Sequence, residues 1–190
     1  YKNYIVGDVL DKEKINTLIS DVKPEVVFHL AADKFRTSSS ITQLRNSLNV
    51  NLLGTLNIVE ACLNSGSLEQ FIFLGTCEEY GESITPFVEA QRENPASAYG
   101  FSKMTATHLL ENLNKTKEFP ATILRPSIAY GPGQSTDMFL TELIETLLKG
   151  KRFEMSCGQQ IRDFVFVDDI VDACLLALDG NAVGRVVNIG

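Results

Sequence analysis

Residues 25–31 read Glu25-Val26-Val27-Phe28-His29-Leu30-Ala31. The run is short, unbroken and rich in β-branched residues, closed by Pro24 on one side and by a polar stretch from Asp33 on the other. It fits a strand buried on both faces, since a strand with one wet face would alternate. Similar runs occur at 3–6, 70–74, 121–124, 163–167 and 186–189, and between them lie helical patterns at 10–22, about 41–64, 99–117, 137–148 and 167–178. In the second helical stretch Leu44, Leu48, Leu52, Thr55, Val59 and Leu63 recur every three or four positions, and Ser65-Gly66 supplies a stop. Strand and helix alternate along the whole chain. This predicts an α/β fold with a doubly wound parallel sheet, whose ligands bind at the carboxyl ends of the strands.

A length of 190 residues suits one domain, and no internal repeat or linker divides it. Acidic residues outnumber basic ones by 24 to 17, a net charge of −7 that repels nucleic acid and anionic membranes. The longest apolar stretches, 26–32 and 174–178, are far shorter than the roughly 20 residues of a membrane span. No leader pattern precedes the first strand-like run. Cys62, Cys77, Cys157 and Cys174 form no C-x-x-C pair, and no histidine cluster accompanies them. We therefore expect reduced thiols, no metal site and a cytoplasmic location. His29 lies in an apolar run and His108 on a helical pattern; structural roles are expected for both.

Chemistry enters at Tyr99-Gly100-Phe101-Ser102-Lys103, where a phenol and an ammonium stand one helical turn apart on one face. A cation beside a tyrosine favours the phenolate, so Tyr99 can exchange a proton with a hydroxyl near neutral pH. By itself this spacing is common by chance. Thr76 follows the apolar run 70–74 and would project from a strand's carboxyl end, where its hydroxyl could pass a proton between Tyr99 and a bound oxygen. A cap or turn role is the alternative for Thr76. The connection from Cys77 to Ala98 is long for a link between strand and helix, as functional loops often are.

Six segments in this order resemble the extended short-chain dehydrogenase/reductases, specifically the NAD-dependent epimerase/dehydratase group that acts on nucleotide-sugars. They are Gly7-Asp8-Val9, His29-Leu30-Ala31-Ala32, Asn49-Val50-Asn51-Leu52-Leu53-Gly54-Thr55, Thr76 to Gly81 with Tyr99 and Lys103, Leu124-Arg125-Pro126 leading into Tyr130-Gly131-Pro132-Gly133, and Arg162 to Asp169. The resemblance implies a Rossmann-like domain that binds NAD or NADP across 1–190, with residues about 127–170 contributing to the substrate region. It also implies that Asp8 contacts the adenine, that Leu30, Ala31 and Ala32 let the backbone pass under the cofactor, and that Val9 and Pro126 belong to the cofactor contacts. Asn49 would brace the helix and strand ends at the site. Tyr99 and Lys103 would be the catalytic base and its partner, with Lys103 also holding the ribose, and Thr76 would complete the triad. Arg162 would pair with the substrate's diphosphate, a task suited to a guanidinium fork, or else be a surface arginine paired with a carboxylate. A homodimer is the assembly expected.

The chain also departs from the pattern. No G-x-x-G-x-x-G turn is found, and no acidic or basic residue that would choose between NAD and NADP can be read. The expectation is a domain without its first βαβ unit and its C-terminal end, in which the strand at 3–6 is unpaired or moved and the strand at 26–30 has an open edge. Cys77-Glu78 stands where 4,6-dehydratases carry an Asp-Glu pair, which leaves Glu78 a tentative catalytic acid or base. Ile128 occupies a position that is often asparagine. The expected reaction is hydride transfer at a sugar ring carbon, of 4-epimerase or 4-ketoreductase type. Alternatives are a 4,6-dehydratase or decarboxylase, and a non-catalytic dinucleotide-binding regulator.

Overall fold

The structure is a computed structural model that describes residues 4–33 and 40–190. Helix α1 (Lys12–Val22) starts where the Asp11 side chain accepts a hydrogen bond from Lys14 N at 3.1 Å. Strand β1 (Val26–His29) follows, then a helical run made of α2 (Ile41–Leu48), a π turn (Asn49–Leu53) and α3 (Gly54–Ser65). Gly66, at φ 65°, ends that run as its stop signal predicts. Strand β2 (Gln70–Leu74) leads to a 3₁₀ turn (Cys77–Glu79), α4 (Ala98–Lys117) and β3 (Ala121–Pro126). The rest comprises β4 (Ile128–Tyr130), α5 (Phe139–Leu148), β5 (Phe164–Phe166), α6 (Val167–Leu176) with a 3₁₀ turn after it (Ala177–Asp179), and β6 (Val186–Ile189).

The main sheet is four-stranded and parallel in the order β1-β2-β3-β6. Phe71 and Phe73 of β2 and Ile123 of β3 face α3 and α4, packing on Ile58, Val59, Cys62, Ala106 and Leu110, with α1 adding Ile15 and Ile19. The alternate residues Ile72 and Leu124 face α6 through Ile170 and Cys174. Both faces of β2 and β3 are thus dry, as their unbroken apolar runs require. Leu74 lies opposite Leu124, so the carboxyl ends of β2 and β3 sit side by side, with Gly75 N donating to Leu124 O at 2.7 Å. The sequence at those two ends carries the chemistry.

Several expectations are corrected. Residues 4–8 form no strand, and Tyr4, Ile5 and Val6 are exposed; Asn3, the first residue of the strand expected there, lies outside the described residues. β5 is not part of the main sheet: it pairs in parallel with β4, a strand the sequence pattern did not reveal. The expected open edge is found, since β1 is an outer strand, and Phe28 on it is 42% exposed. The long helix about 41–64 is interrupted by the π turn, whose extra residue rotates the following apolar face by about 100°. Within α3, Gly54, Thr55, Ile58, Val59 and Cys62 are buried while Leu63, expected on the apolar face, is 46% exposed. Among the described residues no helix is long and apolar enough to cross a membrane, and no cluster could hold a metal ion.

Candidate active site

Thr76 lies two residues beyond β2, buried, in extended backbone. Its hydroxyl oxygen accepts from Glu78 N at 3.3 Å, which caps the 3₁₀ turn and leaves the hydroxyl hydrogen available to donate. The turn then packs on the start of α4. Ser97 caps that helix by accepting from Gly100 N at 2.9 Å and donates to Glu78 Oε2 at 3.1 Å. Gly100 makes the approach possible: a Cβ there would meet Glu78 O at 2.6 Å. Thr76, Glu78, Tyr99 and Lys103 are thereby gathered around the first turn of α4.

Tyr99 is buried, and Lys103, one turn on, is 1% exposed with Nζ 3.9 Å from the centre of the Phe73 ring. No hydrogen bond or ion pair reaches that ammonium from the described residues. Burial pulls Lys103 down to about 8, and the Glu79 charge acts against that fall. His29, in β1, is held neutral: burial first, and the Lys103 charge second, bring it down to about 3. It contacts Thr55 Oγ1 at 2.8 Å, and Thr55 donates at 2.6 Å to Asn51 O, so the imidazole is structural as expected. His108 is likewise outside the site, on the exposed side of α4 near Glu93 and Glu111.

The bracing role expected at Asn49 is carried out by Asn51. Asn51 is buried in the π turn, where its Oδ1 accepts from Asp33 N at 2.7 Å and its Nδ2 donates to Ser102 Oγ at 2.8 Å. Ser102 in turn donates to Tyr99 O at 2.8 Å. One asparagine therefore ties the chain after β1 to the turn of α4 that carries Tyr99. Asn49 is half-buried and makes none of these contacts. Both asparagines lie in the same motif, and an uninterrupted helical register cannot tell them apart.

A second group went unread in the sequence. Glu79 is fully buried, its Oε1 accepting from Thr76 N at 3.0 Å and its Oε2 from Arg125 Nε at 2.8 Å. Arg125 also donates to Glu93 Oε1 at 2.7 Å and lies 4.7 Å from the centre of the Tyr80 ring. Burial pushes the Glu79 carboxyl up and Arg125 draws it back; because every neighbour above is a donor, the carboxylate is the form that fits. Arg125 itself stays charged, held above its ordinary value by its two carboxylates against the pull of burial. One signal could have exposed the pair. A cation inside the dry strand 121–126 requires a buried anion. Tyr80 OH donates to Asn188 Oδ1 at 2.8 Å, and Asn188 N donates to Glu89 Oε1 at 3.0 Å, so β6 latches the loop that follows the 3₁₀ turn.

The remaining expected residues are dispersed along the strand ends. Asp8 is exposed and accepts from Leu10 N at 2.9 Å, while Val9 fits against Gly54, where a Cβ would meet Val9 Cγ2 at 2.5 Å. Leu30 and Ala31 are exposed beyond β1, Ala32 is half-buried, and Pro126 is buried at the end of β3. Arg162 is exposed just before β5, donating to Ile161 O at 2.9 Å, and pairs with no carboxylate among the described residues.

The family model of the NAD dependent epimerase/dehydratase family matches residues 2–190. The chain belongs to this family. Its relatives include a dTDP-D-glucose 4,6-dehydratase of Dictyostelium discoideum, 30% identical over 97% of this chain and 45% of that protein. A human dTDP-D-glucose 4,6-dehydratase is 30% identical over 98% of this chain and 53% of its own length. Among solved structures, a Bacillus cereus UDP-glucuronic acid 4-epimerase in complex with UDP-glucuronic acid and NAD superposes with a TM-score of 0.88 at 32% identity, covering 99% of this chain and 60% of that one. The RMD protein of Pseudomonas aeruginosa, complexed with NADPH, gives 0.87 at 26% identity, over 97% and 66%. The chain spans about half the length of the curated relatives it matches.

Proposed function

We propose that this member of the epimerase/dehydratase family modifies a nucleotide-sugar with NAD or NADP, by oxidation and reduction at a sugar ring carbon, as a 4-epimerase or 4-ketoreductase does. The observation that carries the reading is Lys103: a buried ammonium with no hydrogen-bond partner among the described residues, one turn from Tyr99. Leaving such a group unpaired is costly to a fold, and ligand hydroxyls would satisfy its donors. The ribose of the cofactor supplies hydroxyls of that kind, with Asp8, Val9, Leu30, Ala31, Ala32 and Pro126 as further contacts. NAD(P), when bound, provides the hydride acceptor and donor.

The side chains move the proton. Lys103 favours the phenolate of Tyr99, which takes the hydrogen of the reacting sugar hydroxyl, directly or through Thr76, and returns it in the reverse step. Arg162, without a carboxylate partner among the described residues, suits the substrate's diphosphate, in keeping with a substrate region at residues about 127–170. A second reading, 4,6-dehydration, is favoured by Glu78, whose carboxyl group Ser97 anchors beside Thr76 and the Tyr99 turn, where it would serve as acid or base in eliminating water. We further infer a homodimer, for which exposed Leu53 and Phe101 offer apolar surface, and a reducing cytoplasmic setting in keeping with four free thiols.

The test is an assay of the full-length protein on UDP- and dTDP-sugars with NAD and NADP, followed by nicotinamide absorbance and by product analysis. Tyr99→Phe should lower kcat by roughly 10²- to 10⁴-fold while cofactor affinity holds. Epimer or reduced product supports the first reading and a 4-keto-6-deoxy product the second. Equal rates for the Tyr99 variant and the parent would remove the mechanism.

A further inference from the structure

The charge pair beneath Thr76 is not needed to fill space. A buried ion pair can often be replaced by apolar residues with no loss of stability, so Glu79 and Arg125 invite a functional explanation. The backbone is built around them. Gly75 lacks a side chain where a Cβ would meet Glu79 Oε1 at 2.7 Å and Arg125 Cγ at 3.2 Å. Both Glu79 oxygens are used as acceptors, one by Thr76 N and the other by Arg125. Arg125 is fixed at its far side by Glu93, from the loop leading into α4, and against the Tyr80 ring.

We propose that Glu79 is a positioning residue for the reaction: clamped by Arg125 and Glu93, its carboxylate fixes the Thr76 backbone beyond the end of β2 and so aims the Thr76 hydroxyl at the site. The inference rests on the reading of Thr76, Tyr99 and Lys103 given above. A second effect follows from the same placement. The ionised groups facing Glu79 are Arg125 from β3 and Lys103 from α4; those facing Lys103 are Glu79 from the 3₁₀ turn and, neutral, His29 from β1. Glu79 is thus the anion that resists the fall in the Lys103 pKa caused by burial.

Glu79→Gln separates these roles from simple packing. Thr76 N and Arg125 use different oxygens of Glu79, so glutamine must turn its NH2 group, a donor, toward one of these two donors. In the full-length protein the expected result is a loss of about tenfold or more in kcat with KM for the nucleotide-sugar changed by less than about twofold. The alkaline limb of kcat should move to lower pH, because the ammonium loses its anion. A packing defect would lower the folded fraction and leave kcat per folded molecule and the limb in place, and that outcome overturns the proposal. Should Glu79→Gln fail to fold, Glu93→Gln, at a partly exposed position, loosens the clamp more gently: kcat must fall by about threefold, and a parental value overturns the proposal. If the parent turns over none of the nucleotide-sugars, the functional reading itself fails. The clamp is then judged by hydrogen exchange across 75–80, which must quicken in the Glu79 or Glu93 variant; unchanged exchange overturns it.

Discussion

Lys103 shows how a single residue can work against the fold that carries it. Its pKa falls from 10.5 to about 8 on folding, so between those values the unfolded chain binds more protons and stability rises with pH. At neutral pH the buried ammonium is therefore a burden. Lys103→Met should raise the melting midpoint, by roughly 2–4 °C for each kcal/mol released, while abolishing turnover. Scanning calorimetry checks this, and a lowered midpoint would mean that the fold needs the charge. Tyr99, Lys103 and Thr76 were legible in the sequence because a four-residue helical spacing and a strand end fix where side chains go. Glu79 was not: it follows Glu78 directly and meets Arg125 only through the sheet, 46 positions away.

At the scale of elements, the site depends on two close approaches. Gly100 lets the 3₁₀ turn lie against α4, so Gly100→Ala must push Glu78 and Thr76 outward. We expect a loss of about 1–3 kcal/mol in urea unfolding together with a disproportionate fall in kcat; full activity would show that the turn can shift without harm. The other approach is that of β1 to the first turn of α3 through His29 and Thr55. Folding lowers the His29 pKa from 6.5 to about 3, so as pH drops below 6.5 the unfolded chain takes up a proton that the folded one refuses. Stability should fall by about 1.4 kcal/mol per pH unit on this account, or about 2 kcal/mol between pH 6.5 and 5. His29→Gln, which keeps a donor for Thr55, should flatten that slope, and equal slopes would refute the assignment. Strands β1, β2, β3, β5 and β6 were readable from unbroken apolar runs, and the helices of the described residues from helical patterns, although the pairing of β5 was not. The π turn was not, because one added residue leaves the local spacing helical and only rotates what comes after. β4, Ile128-Ala129-Tyr130, is three residues long and follows β3 after one residue, so no separate run marks it.

At the scale of the 190-residue chain, β1 is an outer strand of the sheet of the described residues, and that side is its exposed liability. Val26 and Phe28 show apolar surface on an outer strand, a combination that favours association between chains. Phe28→Lys should reduce light scattering by the 190-residue chain while its unfolding free energy changes by less than about 1 kcal/mol; undiminished scattering would place the contact elsewhere. The strand order has another consequence, which concerns how the protein is made. Within the four-stranded sheet of the described residues spatial order repeats chain order, so β2, β3 and β6 each add to an edge already present as they leave the ribosome. Thr76, Glu79, Tyr99 and Arg125 all emerge before β6. The 108 residues from Tyr80 to Asn188 take on the order of ten seconds to synthesise. Through that interval the frame of the site can exist while its loop waits, unlatched, for the last strand to arrive.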